Sequence, residues 1–129
     1  MNITTHLYAL IIMTVFAVGA CSGQGFINEN DFEDKIAKDI VAVEFWAEWN
    51  KQNEFAELSK LKDTNVYRVD IMHCSKLQVE YNISAVPTIV LFDNGVEKER
   101  FNANIMFQLE ADKKIIQNSI DTITLNKFQ

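Results

Sequence analysis

Proline, glycine and cysteine are scarce in this chain of 129 residues, which contains one proline, four glycines and two cysteines. This scarcity excludes a collagen-like repeat and a disordered, Pro/Gly-rich polymer. Hydrophobic residues make up 48% of the chain and charged residues 23%. The length and this balance predict one globular domain with one core.

Clustered positive charge is missing as well. The chain has 18 acidic and 12 basic residues, a net charge of -6 at pH 7, and no stripe of Lys and Arg. Binding to a phosphate backbone needs clustered positive charge. We therefore expect no nucleic-acid partner.

The first 28 residues contain no Asp, Glu, Lys or Arg. Within them lies a run of fourteen mostly apolar residues, Leu7–Ala20. Such a run is short for a membrane-spanning helix and has the length of a signal-peptide core. We expect residues 1–20 to be a signal peptide, although Met1–His6 lacks the positive charge that usually precedes such a core.

The end of this run, Val18-Gly19-Ala20-Cys21, resembles a bacterial lipobox, in which the cysteine receives lipid. The resemblance implies lipid attachment at Cys21. The attached acyl chains would anchor the protein to a membrane, because each buried methylene contributes about 0.8 kcal/mol. Ser22 after the cysteine favours an outer-membrane lipoprotein of the bacterial cell envelope. The alternative is a periplasmic or secreted protein, cleaved after Ala20. Residues 21–25 form a short Gly/Ser tether.

Hydrophobic periodicity over residues 26–129 predicts helices alternating with strands. A capping pattern at Asn30–Glu33 indicates the start of a first helix, and later segments continue the alternation. We predict strands at Ile40–Trp46, Val66–Ile71, Thr88–Phe92 and Val96–Phe101, helices at Asn53–Leu61 and Ser75–Tyr81, and a last helix containing Ile115, Ile116, Ile120 and Ile123. This order indicates an α/β fold with a mixed β-sheet flanked by helices.

Two motifs resemble the thioredoxin family. The first is Val43–Trp49 (VEFWAEW) followed by Asn50–Asn53 (NKQN), and the second is Val86-Pro87-Thr88 before a strand. The resemblance covers nearly all of the chain after the tether. It implies a thioredoxin-like fold, a cis peptide bond at Pro87, and a peptide-binding groove formed by Trp49, Val86, Pro87 and Thr88.

The family's Cys-x-x-Cys motif is absent, because Asn50 and Asn53 occupy the two cysteine positions. Thiol-disulfide exchange needs a thiolate nucleophile and a second thiol to resolve the mixed disulfide. An asparagine amide supplies neither, so we predict no catalytic residue at these degenerate positions. We expect Asn50 to cap a helix instead, which stabilises a helix by about 1 kcal/mol relative to Ala.

Glu44 and Arg68 correspond to a buried acid and a basic residue on the neighbouring strand in the family. One interpretation is a structural buried ion pair, since removing one partner of such a pair costs about 3–5 kcal/mol. The other is an acid with a perturbed pKa that faces a pocket, and a perturbed pKa does not by itself establish a role.

Cys74 is the only thiol of the domain, at the start of the third predicted helix. In an oxidising envelope it is either buried and inert or bridged to another chain. Met72 and His73 beside it offer too few ligands for a zinc or copper site, so we expect no metal and no cofactor.

The groove should differ from that of familiar thioredoxins. The second helix is about two turns shorter, and Asn102-Ala103 occupies the point where the family has a glycine. Beyond it lies an apolar stretch with Phe101, Phe107 and Leu109. If Met106 and Phe107 are exposed together, they form a patch suited to a protein partner.

These observations favour a redox-inactive, thioredoxin-like envelope lipoprotein that acts as a binding or accessory subunit for unidentified envelope proteins, such as those of a membrane complex. Two alternatives are open. One is a thiol-disulfide oxidoreductase that uses Cys74 as a monothiol, and the other is a chaperone-like peptide binder.

Overall fold

The computed structural model describes residues 25–129 of the chain. The signal peptide, the lipid attachment at Cys21 and the tether up to Gln24 are predictions on residues that lie outside the described part of the chain. Gly25, the last residue of the predicted tether, accepts a hydrogen bond from the backbone N–H of Arg68 at 2.7 Å. No helix within residues 25–129 is long and apolar enough to cross a membrane.

The described residues form four strands, three α-helices and two 3₁₀ helices. In chain order these are α1 (Glu29–Ile36), β1 (Ile40–Trp46), the first 3₁₀ helix (Glu48–Asn53), the second 3₁₀ helix (Leu58–Lys60), β2 (Asn65–Asp70), α2 (Ser75–Glu80), β3 (Thr88–Asp93), β4 (Val96–Asn102) and α3 (Lys113–Asn126). The sheet order is β2-β1-β3-β4. β1 runs parallel to β2 and antiparallel to β3, and β3 runs antiparallel to β4. The predicted α/β fold with a mixed sheet is therefore confirmed.

Strand β1 is buried along its whole length, as its nearly continuous apolar sequence predicts. Successive side chains of β1 point to opposite faces of the sheet. Val41, Val43 and Phe45 join a cluster with α1 and α2, while Ile40 and Ala42 join a second cluster with α3 and the 3₁₀ segment. Residues 25–129 thus contain a sheet covered on both faces by hydrophobic clusters, which is the arrangement of a domain with its own core.

The start of α1 differs from the prediction. Asn28, not Asn30, is the N-cap, because its side-chain oxygen accepts hydrogen bonds from the backbone N–H groups of Asn30 and Asp31. Asn30 lies inside the first turn of the helix. An asparagine two residues earlier offered the same capping chemistry, and only its extended backbone distinguishes it as the cap.

The α-helix predicted over Asn53–Leu61 is wrong, because the helical residues here are only Asn53, at the end of the first 3₁₀ helix, and Leu58–Lys60, which form the second. Of the buried residues Phe55, Leu58 and Leu61 on which the prediction rested, only Leu58 lies in a helix. The backbone N–H of Phe55 donates to the carboxylate of Glu44 at 2.8 Å. The carbonyl of Phe55, which an α-helix would pair with the N–H of Ser59, accepts from the N–H of Leu58 at 3.2 Å and from Arg68 Nη2 at 2.8 Å.

The turn between β3 and β4 follows the sequence signal. Asn94 and Gly95 both have positive φ, 48° and 81°, as a tight hairpin turn requires. The hairpin places the end of β4 beside the start of β3, where the Val86–Pro87 peptide bond is cis. The predicted cis-proline at Pro87 is confirmed. The carboxyl end of β1 lies at this same edge, because Phe45 pairs with Thr88.

Candidate functional site

Three segments meet around Asn50 at this edge of the sheet. They are the first 3₁₀ helix, the cis-proline turn at residues 86–88, and the loop at residues 103–109 that follows β4. The two asparagines at the cysteine positions of the family lie in the first of these segments. The side chain of Asn50 joins all three.

Asn50 is buried, with 5% of its surface exposed. Its Nδ2 atom donates hydrogen bonds to the carbonyl oxygens of Val86 and Phe107, each at 2.9 Å. Its Oδ1 atom accepts a hydrogen bond from Nδ2 of Asn53 at 2.8 Å. Both donor hydrogens and the acceptor oxygen of the amide are therefore used. The Asn50 side chain is a bridge between two loops.

The expectation that Asn50 caps a helix is wrong. Ala47 is the residue that precedes the first 3₁₀ helix, and no side chain caps that helix. Asn50 instead interrupts the helix with φ -123° and ψ 21°. Its Oδ1, the atom that would cap a helix by accepting a backbone N–H, accepts from the side chain of Asn53 instead.

The loop at residues 103–109 is closed by its own hydrogen bonds. An isolated β-bridge joins Ala103 to Leu109, and the backbone N–H of Asn104 donates to the carbonyl of Gln108 at 2.9 Å. The side-chain oxygen of Asn104 accepts from the N–H groups of Met106 and Gln108. Such side-chain bonds to nearby backbone hold a tight turn. No pattern in the sequence had pointed to Asn104.

Large apolar side chains are exposed around this loop. The exposed fractions are 94% for Ile105, 68% for Met106, 42% for Phe107 and 52% for Trp49. The rings of Trp49 and Phe107 pack edge to face with centroids 5.2 Å apart. We call Trp49, Ile105, Met106 and Phe107 the loop-tip surface. Met106 and Phe107 are exposed together, which is the condition under which the sequence predicted a patch for a protein partner. The exposure of Ile105 was not predicted from the sequence.

Of the residues predicted to line a peptide groove, only Trp49 is exposed. Val86, Pro87 and Thr88 are buried. The carbonyl of Val86 is occupied by Asn50, and the hydroxyl of Thr88 donates to the carbonyl of Ala85 at 2.7 Å. The backbone carbonyl of Val86, next to the cis-proline, therefore already accepts a hydrogen bond from a side chain of this chain.

Glu44 and Arg68 form a hydrogen-bonded ion pair, with 2.8 Å between Arg68 Nε and Glu44 Oε1. The Glu44 side chain is fully buried, and the Arg68 side chain is 18% exposed. The pair also holds Phe55, because its N–H donates to Glu44 and its carbonyl accepts from Arg68 Nη2, both at 2.8 Å. The pair therefore fixes the chain after the first 3₁₀ helix.

Burial raises the pKa of the Glu44 carboxyl above its ordinary value. The N–H of Phe55 and the guanidinium of Arg68 oppose this rise, because both favour the charged carboxylate. The raised pKa accompanies complete pairing of the carboxylate with protein groups. This geometry is that of the structural ion pair rather than of an acid open to a pocket.

Cys74 is the residue that precedes α2, at the position predicted, and it is buried and free. Burial raises the pKa of its thiol, and the nearby carboxylate of Glu29 adds to the rise. Within residues 25–129 no group of three His, Cys, Asp or Glu side chains lies close enough to hold a metal ion. His73 instead pairs with Asp70 at 2.8 Å.

Comparison of the sequence with known proteins identifies relatives of this chain. The family model for thioredoxin matches residues 24–112. The chain is 30% identical over 80 residues to the thioredoxin of Chlamydia trachomatis, and this match covers 57% of the chain and 78% of that protein. It is 34% identical over 82 residues to the thioredoxin of Rickettsia prowazekii, with the same coverage of 57% and 78%.

Solved structures show the same fold. A thioredoxin from Malassezia sympodialis superposes with a TM-score of 0.61 at 26% identity, covering 76% of this chain and 88% of that one. A mutant thioredoxin from Halobacterium salinarum gives a TM-score of 0.62 at 22% identity, covering 76% and 89%. The thioredoxin-like fold expected from the two sequence motifs is confirmed.

Proposed function

Because this chain belongs to the thioredoxin family, we propose that it is a redox-inactive member that acts as a binding or accessory subunit. The observation that carries the proposal is the bonding of Asn50. This residue stands where the family resemblance places the first cysteine, and its amide bridges the carbonyls of Val86 and Phe107. The position that would hold a nucleophile holds two loops together.

The second cysteine position supports the same conclusion. Asn53 donates to the side-chain oxygen of Asn50, so the two amides act as one hydrogen-bonded unit. Exchange requires a thiolate to attack a disulfide and a second thiol to release the product. Neither asparagine carries a sulfur atom, so neither can attack a disulfide or resolve a mixed disulfide.

The alternative is a monothiol mechanism through Cys74. It is considered because the relatives of this chain are named thioredoxins. The thiolate is the reactive form of cysteine, and a raised pKa reduces its population. Cys74 combines such a raised pKa with a buried position. Both features weigh against it as a nucleophile.

Reduction of insulin disulfides by dithiothreitol tests the redox part of the proposal. We expect residues 22–129 to leave the rate at that of dithiothreitol alone, while a thioredoxin with both cysteines accelerates it. Acceleration by the wild-type chain that disappears in Cys74→Ser would overturn the proposal and establish the monothiol alternative.

A chaperone-like peptide binder is favoured only by the exposure of Trp49. This alternative predicts binding of unfolded polypeptides through the Trp49 ring. Binding of reduced, unfolded lactalbumin that is lost in Trp49→Ala would support it. Binding that survives Trp49→Ala, or no binding, would reject a groove centred on Trp49.

We also propose that the protein is an envelope lipoprotein anchored through Cys21, on the basis of the lipobox-like sequence Val18–Cys21. Labelling of the full chain in bacteria with a fatty-acid analogue tests this. We expect label on the wild type and none on Cys21→Ala. An unlabelled wild type released in soluble form would instead indicate a periplasmic or secreted protein.

A further inference from the structure

Resting on the proposed binding role, we infer that the loop-tip surface docks a segment of a partner protein with large apolar side chains flanked by Lys or Arg. The surface consists of Trp49, Ile105, Met106 and Phe107, all exposed. Contiguous exposed apolar side chains on a globular domain mark contact sites.

The surface is held in place before any partner binds. The Asn104 side chain and the Ala103–Leu109 bridge close the loop, and Asn50 ties the carbonyl of Phe107 to the cis-proline turn. Phe107 has a φ of 56°, in the left-handed region that costs a bulky residue energy. A preorganised surface loses little conformational entropy on binding.

The partner is expected to bind through side chains. An extended peptide that adds to a sheet edge or loop needs free backbone groups on the receptor. Here the carbonyls of Val86 and Phe107 already accept from Asn50. The surface therefore binds through side chains, the aromatic pair of Trp49 and Phe107 and the aliphatic Ile105 and Met106. Such a surface suits the apolar face of an amphipathic segment.

The charges around the surface select a basic partner. Residues 47–57 and 103–114 contain five acidic residues and three basic residues, a net charge of -2. Two of the bases are paired, Lys51 with Glu48 at 2.9 Å and Lys113 with Glu57 at 3.7 Å. Within the described part of the chain, Glu54, Glu110 and Asp112 have no cationic partner. Complementary charge on a partner would steer it to this surface.

The same charges disfavour a second copy of the chain as the occupant. Two copies joined through this surface would bring a net charge of -2 against an equal charge. Like charges placed together across an interface weaken association. A heterologous basic segment meets no such repulsion.

Two synthetic peptides test the inference with residues 22–129 as the receptor. Both are amphipathic helices of about 14 residues, or about four turns, with the same leucine face. One has a lysine polar face and the other a glutamate polar face. Calorimetric titration at low salt should show binding of the Leu/Lys peptide and affinity at least about tenfold weaker for the Leu/Glu peptide. Raising the salt from about 50 to about 300 mM should weaken the Leu/Lys complex.

Variants locate the site. The double substitution Ile105→Ser with Met106→Ser should weaken the Leu/Lys complex at least about tenfold. These two side chains are exposed at the loop tip, so the fold should be retained, as circular dichroism can show. Val79→Ser is the matched control, because Val79 is 76% exposed on α2, and it should leave the affinity unchanged.

Four results would overturn the inference. These are no binding of the Leu/Lys peptide, equal affinity for both peptides, a double variant that binds as well as Val79→Ser, and self-association of the chain in sedimentation experiments that the double variant abolishes. Insulin reduction measured on the same samples separates the two proposals. An inactive chain that also fails to bind the peptide rejects this inference and leaves the redox-inactive assignment intact.

Discussion

The side chain of Asn50 donates a hydrogen bond to the backbone carbonyl of Val86, with 2.9 Å between Nδ2 and oxygen. The two residues are 36 positions apart in the chain. Where a reactive sulfur stands in a working thioredoxin, this chain has a buried polar contact that joins the first 3₁₀ helix to the cis-proline turn. The consequences for stability, ionisation and reactivity can be measured.

Replacing Asn50 with alanine should destabilise the fold. Asn50→Ala leaves the Val86 and Phe107 carbonyls without their donor, and a buried polar group left unsatisfied costs about 1–3 kcal/mol. Urea unfolding of residues 22–129 should show a loss of that size. The control is Gln52→Ala, at an exposed position, which should change the free energy of unfolding by about 0.5 kcal/mol or less. Equal effects of the two variants would contradict the bridging role.

The contribution of Glu44 to stability should depend on pH. Its pKa is raised above the ordinary value of 4.5 mainly by burial, so the folded chain holds the proton more tightly than the unfolded chain. That contribution is fully present below the ordinary pKa and is lost as the pH rises through the raised pKa.

Glu44→Gln removes this titration. We expect the unfolding free energy of the wild type, relative to that of Glu44→Gln, to fall as the pH rises from about 4.5 toward neutrality. Urea unfolding at a series of pH values measures the difference. Glu99→Gln, at an exposed position on β4, controls for the loss of one carboxylate. A relative stability that rises with pH would mean that Arg68 outweighs burial.

Restoring the two cysteines should not restore a thioredoxin. In the triple variant Asn50→Cys, Asn53→Cys, Cys74→Ser, the thiol at position 50 occupies a site with 5% exposure, and burial disfavours the thiolate. The site also lies within a kinked 3₁₀ segment of six residues, not at the start of an α-helix whose dipole would stabilise the thiolate.

We expect the pKa of that thiol to be at or above about 8.5, the value of an ordinary cysteine. The pH dependence of its alkylation by iodoacetamide measures this pKa. Insulin reduction by the triple variant should stay at the uncatalysed rate. A pKa below about 7 together with reductase activity would show that the missing sulfurs are the only barrier to redox function.

Cys74 should be protected in the folded chain. It is the only thiol in residues 22–129, it is buried and its pKa is raised. Alkylation then requires an opening of the structure, and we expect it to be at least about a hundredfold slower than in urea. Mass spectrometry of samples quenched over time gives both rates. Similar rates in the two conditions would reopen the monothiol alternative.

Much of the fold could be predicted from local patterns. The apolar run Ile40–Trp46 matches β1 at both ends, because a strand buried on both faces needs apolar residues at successive positions. The Asn94-Gly95 turn also depends on neighbouring residues alone, whereas the cis bond at Pro87 was implied by the resemblance to the thioredoxin family. The helix over Asn53–Leu61 could not be predicted correctly, since its backbone is held by Glu44 and Arg68 from two strands.

The sequence by itself determined the order of the four strands and of the three α-helices α1, α2 and α3, because this order depends on residue types and short-range periodicity. Two motifs in it also indicated the family and placed asparagines at the two cysteine positions. Only the tertiary structure decided what Asn50 does, since its partners Val86 and Phe107 are 36 and 57 positions away. An amide at a turn can cap a helix or bridge two loops. Which of these it does depends on the carbonyls that the folded chain brings within hydrogen-bonding distance.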